Sequence, residues 1–469
     1  MQFKGEKMRK LLSVFIAACL IFGTVACFVG CSDESGEQTP DEGKKISAIL
    51  NGEELSDYKI VYSEESDYAE RAAEYIKTGA KSRAGAELSL CKASEDSGEG
   101  RAILVGETSR ALSESLDAEC SGVEFSISSD GADIALEGEA FVIAAAAYYF
   151  VETYIADGVD FNSTVPAEPR VLEPIKKTAK NYILMIGDGM GELQTKMFDY
   201  LEDTSEISDG EDKFYGYMLP YRGYSVTTSL TGVTDSAAAA TAMATGYKTY
   251  NRYLGIDGDM VERKNLTELA LELSMGVGIL STEVSTGATP SGFTVHTSDR
   301  GNSDEIRTQQ YALMNERGVI IDGGYSQYTK NIMKLIEKDV TDALDKLSKN
   351  DGFFMMYEEA FIDKDCSNGD IDKAFLSLIR FNQVIGRVME FAFYNPETMV
   401  IITADHETGD LTVDEEGKLK LQTEEHTGKN VPIFAYGEGA EAFDEVTIQN
   451  VEIPKILAAL WGVSDFGGQ

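Results

Sequence analysis

Two of the three histidines in this 469-residue chain stand in clusters of metal-ligand type. His406 lies in Thr403-Ala404-Asp405-His406-Glu407-Thr408-Gly409, and His426 in Glu424-Glu425-His426-Thr427-Gly428. Imidazole beside carboxylate suits Zn²⁺, whereas an all-oxygen set suits Mg²⁺. A third element is Thr234-Asp235-Ser236-Ala237-Ala238-Ala239-Ala240-Thr241-Ala242-Met243-Ala244-Thr245-Gly246. Its alanines favour a helix that starts at Asp235 or Ser236 and stops at Gly246. A serine at a helix N-terminus faces free N–H groups and the positive end of the helix dipole, which is a natural phosphate site. Next to a divalent cation its hydroxyl can ionise and act as a nucleophile. On local sequence alone, the same serine reads equally well as an ordinary N-cap.

The elements that must position these residues are short apolar runs. Tyr182–Ile186 leads into Gly187-Asp188-Gly189-Met190-Gly191, and Val277–Leu280 leads towards Thr289. Phe353–Tyr357 leads to Glu358 and Asp363, Met399–Thr403 leads to Asp405-His406, and His426 precedes Val431–Tyr436. Each run is β-prone and bounded by turn signals, as buried strands are. Helical stretches over 266–275, 332–347 and 371–393 alternate with them, which predicts an α/β domain around a largely parallel sheet. The C-terminal ends of such strands share one edge, where ligands bind. Carboxylates converging there repel one another unless cations lie between them.

Upstream, Tyr58–Tyr62 and Arg101–Gly106 read as strands, 69–79 and 109–116 as helices, 124–129 with 131–137 as a hairpin, and 141–155 as a buried helix. This predicts a small α+β domain over 49–175, ahead of a catalytic domain over 176–469, with a Pro- and Lys-rich linker over 166–180. Residues 1–30 carry a basic head (Lys4, Lys7, Arg9, Lys10), an apolar stretch, and Phe28-Val29-Gly30-Cys31, a lipoprotein-type cleavage box with Cys27 as a competing site. Residues 31–48 read as a polar tether. The expectation is export and a lipid anchor on the extracytoplasmic side of a membrane. Cys91 and Cys120 are able to pair in that compartment. Beyond residue 30 the chain holds 37 basic and 79 acidic side chains, a net charge of −42. That balance excludes nucleic acid as a partner.

Taken in order, Gly187-Asp188-Gly189-Met190-Gly191, Asp235-Ser236-Ala237-Ala238, Thr245-Gly246-Tyr247-Lys248-Thr249-Tyr250-Asn251, Thr403-Ala404-Asp405-His406 and Glu425-His426-Thr427-Gly428 resemble the motifs of the alkaline phosphatase family. The resemblance covers 181–469. It implies a three-layer sandwich and hydrolysis of small phosphate monoesters through a phosphoserine at Ser236. It further implies that Asp405 and His406 hold one Zn²⁺, Asp363 and His426 hold a second, and Thr289 and Glu358 bind Mg²⁺. Asp188 would bridge one zinc site and the magnesium site, and Arg300 would clamp two phosphate oxygens. His296 reads as structural.

Two positions depart from the family. Gly287 stands two residues before Thr289, where the family has Asp or His, which weakens the Mg²⁺ shell. Ser367 stands four residues after Asp363, where the family has a zinc-ligating His, so one zinc site is incomplete unless the adjacent Cys366 serves. The short span from His406 to His426 implies that the family's large insertion is absent, so the oligomeric contacts that go with it are not assumed. Two alternatives stay open: a phosphodiesterase of the same superfamily, and a metal-poor surface binding protein with a degraded site. The small domain's pattern, with Ile103-Leu104-Val105-Gly106-Glu107-Thr108 as its clearest words, resembles the non-catalytic domain that precedes the barrels of hexosaminidase-type glycosidases.

Overall fold

The computed structural model of the protein describes residues 48–116, 123–156, 161, 170–171, 178–201, 212–314 and 317–468. The signal segment, nearly all of the tether and Cys120 lie outside these residues. Among the described residues Cys91 has no disulfide partner.

Residues 46–469 form one compact unit built on two sheets. The smaller sheet contains β1 (Tyr58–Tyr62), β2 (Leu90–Lys92), β3 (Arg101–Val105), β4 (Glu124–Ser129), β5 (Ile134–Gly138) and β6 (Arg170–Val171). Its order is β2-β1-β3-β5-β4-β6, and the first four of these strands run parallel. Two residues expected to be linker, Arg170 and Val171, thus form an edge strand against Phe125 and Glu124. Helices α1 (Asp67–Gly79) and α2 (Val142–Phe150) cover one face. Ser66 caps α1 by accepting the Ala69 N–H at 3.3 Å.

The larger sheet has eight strands: β7 (Asn181–Gly187), β8 (Tyr221–Val226), β9 (Gly276–Ser281), β10 (Gly318–Ile321), β11 (Phe353–Glu359), β12 (Thr398–Thr403), β13 (Val431–Tyr436) and β14 (Thr447–Gln449). Their order is β10-β9-β11-β7-β12-β13-β8-β14, and β13 alone runs against the rest. The central strands are apolar on both faces because both faces are covered. In β7, Ile183 and Met185 pack into one cluster while Tyr182, Leu184 and Ile186 pack into another. One covering layer holds α5 (Lys330–Leu347) and α7 (Ile371–Tyr394), and the other holds α3 (Ser236–Thr245) and the C-terminal helix Glu452–Leu460. This is the expected three-layer α/β sandwich. Two short helices complete the site, α4 (Ala288–Gly292) and α6 (Phe361–Ser367).

The two sheets share a core. Helix α7 packs on the large sheet with one side and meets α1 and α2 with the other. Tyr75 stacks on Tyr394 with ring centroids 4.0 Å apart, and Arg71 Nε meets Glu390 at 2.7 Å. Gly386 leaves room for the Tyr68 hydroxyl, which occupies the place a side chain there would take.

Candidate active site

Four neighbouring parallel strands, β9, β11, β7 and β12, end on one edge of the large sheet. There they deliver Thr289 through α4, Glu358 and Asp363 at the end of β11 and in α6, Asp188, and Asp405 with His406. His426 reaches the same edge because β13 is reversed. Its N-terminal end, where His426 precedes it, lies beside the C-terminal ends of the others.

His406 Nε2 is the hub. It lies 3.2 Å from Asp405 Oδ2, 3.4 Å from Asp188 Oδ1 and 3.4 Å from Ser236 Oγ. Asp405 Oδ1 accepts the N–H groups of His406 (2.9 Å) and Gly189 (3.2 Å). This fixes the carboxylate and leaves its second oxygen turned to the hub. Gly189, at φ +77°, makes the turn possible. A Cβ there would lie 2.7 Å from Asp363 Cα, so both its handedness and its lack of a side chain are required.

A second group shares the His406 ring. Asp363, His406 and His426 offer ligand atoms within 4.8 Å of one another, as do Asp188, Asp405 and His406. His426 Nε2 is 3.3 Å from Asp363 Oδ1, while its Nδ1 lies 2.9 Å from the Thr234 carbonyl. That carbonyl can only accept, so Nδ1 carries the proton and Nε2 is directed at the site. The Thr408 hydroxyl donates to Asp363 Oδ1 at 2.5 Å and lies 3.2 Å from His406 Nδ1. The two imidazoles stack with centroids 3.5 Å apart.

Burial, together with the charges of Asp405, Asp363, Glu358 and Glu283, pushes the Asp188 carboxyl well above the usual range. Burial likewise raises Glu358, to about 8, with Glu283 adding to it. Burial lowers His406, and the nearby His426 lowers it further against the pull of Asp405. Burial also opposes the charge on His426, but Asp363 and the Thr234 carbonyl outweigh it and bring the ring up to about 9. Asp188 Oδ1, Asp405 Oδ2 and Glu358 Oε1 are buried and lack a hydrogen-bond donor in good geometry among the described residues. Orphaned carboxylate oxygens facing one another are costly unless cations join them. The donor chemistry fits divalent ions: oxygen and imidazole nitrogen at two positions, and oxygen only around Asp188, Thr289 and Glu358.

Ser236 opens α3. The preceding Asp235 caps the helix by accepting the Ala238 N–H at 3.0 Å, and its other oxygen accepts from Arg300 Nη1 at 3.0 Å and from the Arg252 N–H at 3.0 Å. One carboxylate therefore holds both the helix mouth and the guanidinium beside it. At the sequence level Asp235 reads only as a cap, because Arg300 is distant in the chain. Thr408 and the Thr234 carbonyl were missed for the same reason.

The structure thus gathers Asp188, Ser236, Asp363, Asp405, His406 and His426, with Arg300 tied in through Asp235. Thr289 and Glu358 lie at the same sheet edge, both fully buried. Cys366 does not join either ligand group among the described residues; it is buried in the apolar core, and burial pushes its thiol up to about 12. Ser367 sits half-buried at the end of α6, also outside the groups. Neither residue replaces the absent imidazole. His296 stands apart, bonded to the Gly255 carbonyl (2.8 Å) and Glu268 (3.0 Å).

The alkaline phosphatase family model matches residues 179–336 and 327–417. Alkaline phosphatase 3 of Bacillus subtilis is 30% identical over 334 residues, 60% of this chain and 72% of that protein. The alkaline phosphatase of Escherichia coli is 25% identical over 407 residues, 61% and 86% of the two chains. The solved alkaline phosphatase of the Antarctic bacterium TAB5 superposes with a TM-score of 0.52 at 25% identity, covering 61% of this chain and 98% of that one. A variant of the TAB5 enzyme, 24% identical with a TM-score of 0.52 over 62% and 99% of the two chains, carries Mg in its M3 site. The matched residues begin at the first strand of the large sheet and take in the hub around His406, and on that ground the chain belongs to the alkaline phosphatase family.

Proposed function

We propose that the protein is an exported phosphomonoesterase that works through a phosphoserine at Ser236, with two Zn²⁺ and one Mg²⁺. The observation that carries this reading is the Ser236 hydroxyl, which sits at a helix mouth 3.4 Å from His406 Nε2 among orphaned carboxylates. Asp188, Asp405 and His406 would hold one zinc, Asp363 and His426 the other, and Asp188, Thr289 and Glu358 the magnesium. When bound, such ions polarise phosphoryl oxygens and lower the pKa of a hydroxyl or water. Asp235 holds Arg300 so that its fork meets two phosphate oxygens, a bidentate task suited to a planar guanidinium. Ser236 Oγ attacks phosphorus in line: the Ser–O–P bond forms as the bond to the departing alcohol oxygen breaks. Water then attacks the phosphoserine from the vacated side and releases phosphate, restoring the hydroxyl. The His426 tautomer set by Thr234 and the Asp363 orientation set by Thr408 hold that side of the site for the leaving oxygen.

The decisive experiment is Ser236→Ala. Turnover of an aryl phosphate is expected to vanish while bound zinc stays at the wild-type level, and radiolabelled phosphate no longer becomes protein-bound. Wild-type turnover in that variant rules out the covalent route. The same assay run with a diester separates the phosphodiesterase alternative. A second reading draws on the Asp363 group, where Ser367 and Cys366 leave one ligand short. On that reading the protein is a metal-poor surface binder, and purified protein then holds no zinc and hydrolyses no ester at any pH. Export and a lipid on Cys31 or Cys27 are supported by the basic-apolar leader of the sequence.

A further inference from the structure

Gly287 does not owe its identity to its backbone, whose φ of −59° suits any residue. It owes it to space. A Cβ at this position would run into the Glu283 carboxylate, with Glu283 Cγ only 2.9 Å away. Glu283 follows β9 and folds back over α4. Its N–H donates to Ser281 Oγ at 3.0 Å, and that same hydroxyl donates to Glu358 Oε2 at 2.5 Å. The Glu283 carboxylate is ion-paired with Lys364, the neighbour of Asp363. Glu358 Oε1 and Asp188 Oδ1, both deeply buried, lack a hydrogen-bond donor in good geometry among the described residues.

We propose that Glu283, reaching in from four residues upstream, supplies the closing carboxylate that position 287 lacks, and that with Asp188, Thr289 and Glu358 it binds a hard divalent cation of magnesium type. Glu283 acts on the cation through its retained water shell, as the reluctant dehydration of Mg²⁺ favours, and Lys364 balances the excess negative charge. Glycine at 287 is then part of the device, because any side chain there would displace the Glu283 carboxylate. The inference rests on the metal-dependent reading above and adds to it a ligand that reaches the site by a different path.

The test compares full-length wild type with Glu283→Gln, Gly287→Asp and the double variant Glu283→Ala/Gly287→Asp. Each is stripped with chelator, reloaded with zinc and titrated with Mg²⁺. Magnesium per chain and the Mg²⁺-dependent rise in Tm are read, with circular dichroism as the check on folding. Wild type is expected to take up one magnesium. Glu283→Gln, nearly the same shape, loses affinity by about 10–100-fold. Gly287→Asp alone also weakens binding, because two carboxylates compete for one place. The double variant regains it. Wild-type affinity in Glu283→Gln overturns the proposal, as does a double variant that folds yet binds no better than Gly287→Asp, or a wild type that takes up no magnesium. Zinc content and phosphorylation of Ser236 are followed in the same samples. If both persist while the magnesium pattern fails, only this inference falls; if wild type takes up no zinc and forms no phosphoserine, the phosphomonoesterase reading falls with it.

Discussion

At the scale of single residues, the site depends on carboxylates that each serve two masters. Asp235 caps α3 and anchors Arg300. Asp188 faces both the His406 hub and the cluster around Glu358, which is why so many charges raise it. Arg300 is held beside Ser236 through the Asp235 carboxylate, so its removal isolates the proposed phosphate clamp. Arg300→Ala is expected to lower kcat/KM for an aryl phosphate by about 10² and to raise the Kd for inorganic phosphate, with Arg300→Lys recovering only part. Equal phosphate affinity in wild type and Arg300→Ala, by calorimetry, speaks against the clamp.

At the scale of elements, the turn after β7 joins the two ligand groups. A Cβ on Gly189 would lie 2.7 Å from Asp363 Cα, and the residue's φ is +77°. Gly189→Ala is expected to cost more than the ~1 kcal/mol of a left-handed alanine, because α6 must also move, and zinc content is expected to fall as Asp188 and Asp363 are forced apart. Gly417, at φ +81° with open space around it, is the matching control: Gly417→Ala strains its own turn and leaves metal content unchanged. Metal analysis and denaturant melts of the two variants check the contrast. The elements also show where local pattern fails. Strands β7, β9, β11, β12 and β13 are apolar runs and were legible as such. Strand β8, Tyr-Arg-Gly-Tyr-Ser-Val, was not, because three of its six residues carry polar or no side chains, and its strand state comes from pairing with β13 and β14.

At the scale of the whole molecule, a net charge of −39 surrounds a site proposed to take an anionic ester. The bulk field repels a phosphate dianion, and only local cations at the edge of the sheet draw it in. Screening shrinks the repulsive field while leaving close contacts in the site less affected. Raising ionic strength from about 10 mM to about 150 mM is therefore expected to increase kcat/KM for an aryl phosphate, the reverse of a basic enzyme acting on an anion. A rate that falls steadily with added salt, measured at fixed metal concentration, counts against this account. The smaller sheet bears on the site through α7, which lies between the sheets and carries Arg380, buried and bonded to Glu359 at the end of β11.

The sequence by itself determined the family and the places of its motifs: Ser236 at the start of an alanine helix, acids at the ends of apolar strands, and histidines beside acids. Periodicity and capping act within a few residues, and the order of the motifs is read along the chain without knowing which parts meet. What only the tertiary structure decided is how distant parts meet. The reversal of β13 brings His426 to the common edge; Asp235 finds Arg300; the Thr234 carbonyl and Thr408 set the ring tautomer and the carboxylate orientation. Among the described residues Cys366 and Ser367 stay outside both ligand groups, with Cys366 buried in the apolar core, and the Glu283 carboxylate takes the space beside Gly287. The first three depend on contacts whose partners lie tens to hundreds of residues apart, which no short window of sequence contains; Glu283 and Gly287 are only four residues apart, and there it is the path of the folded chain that periodicity does not read.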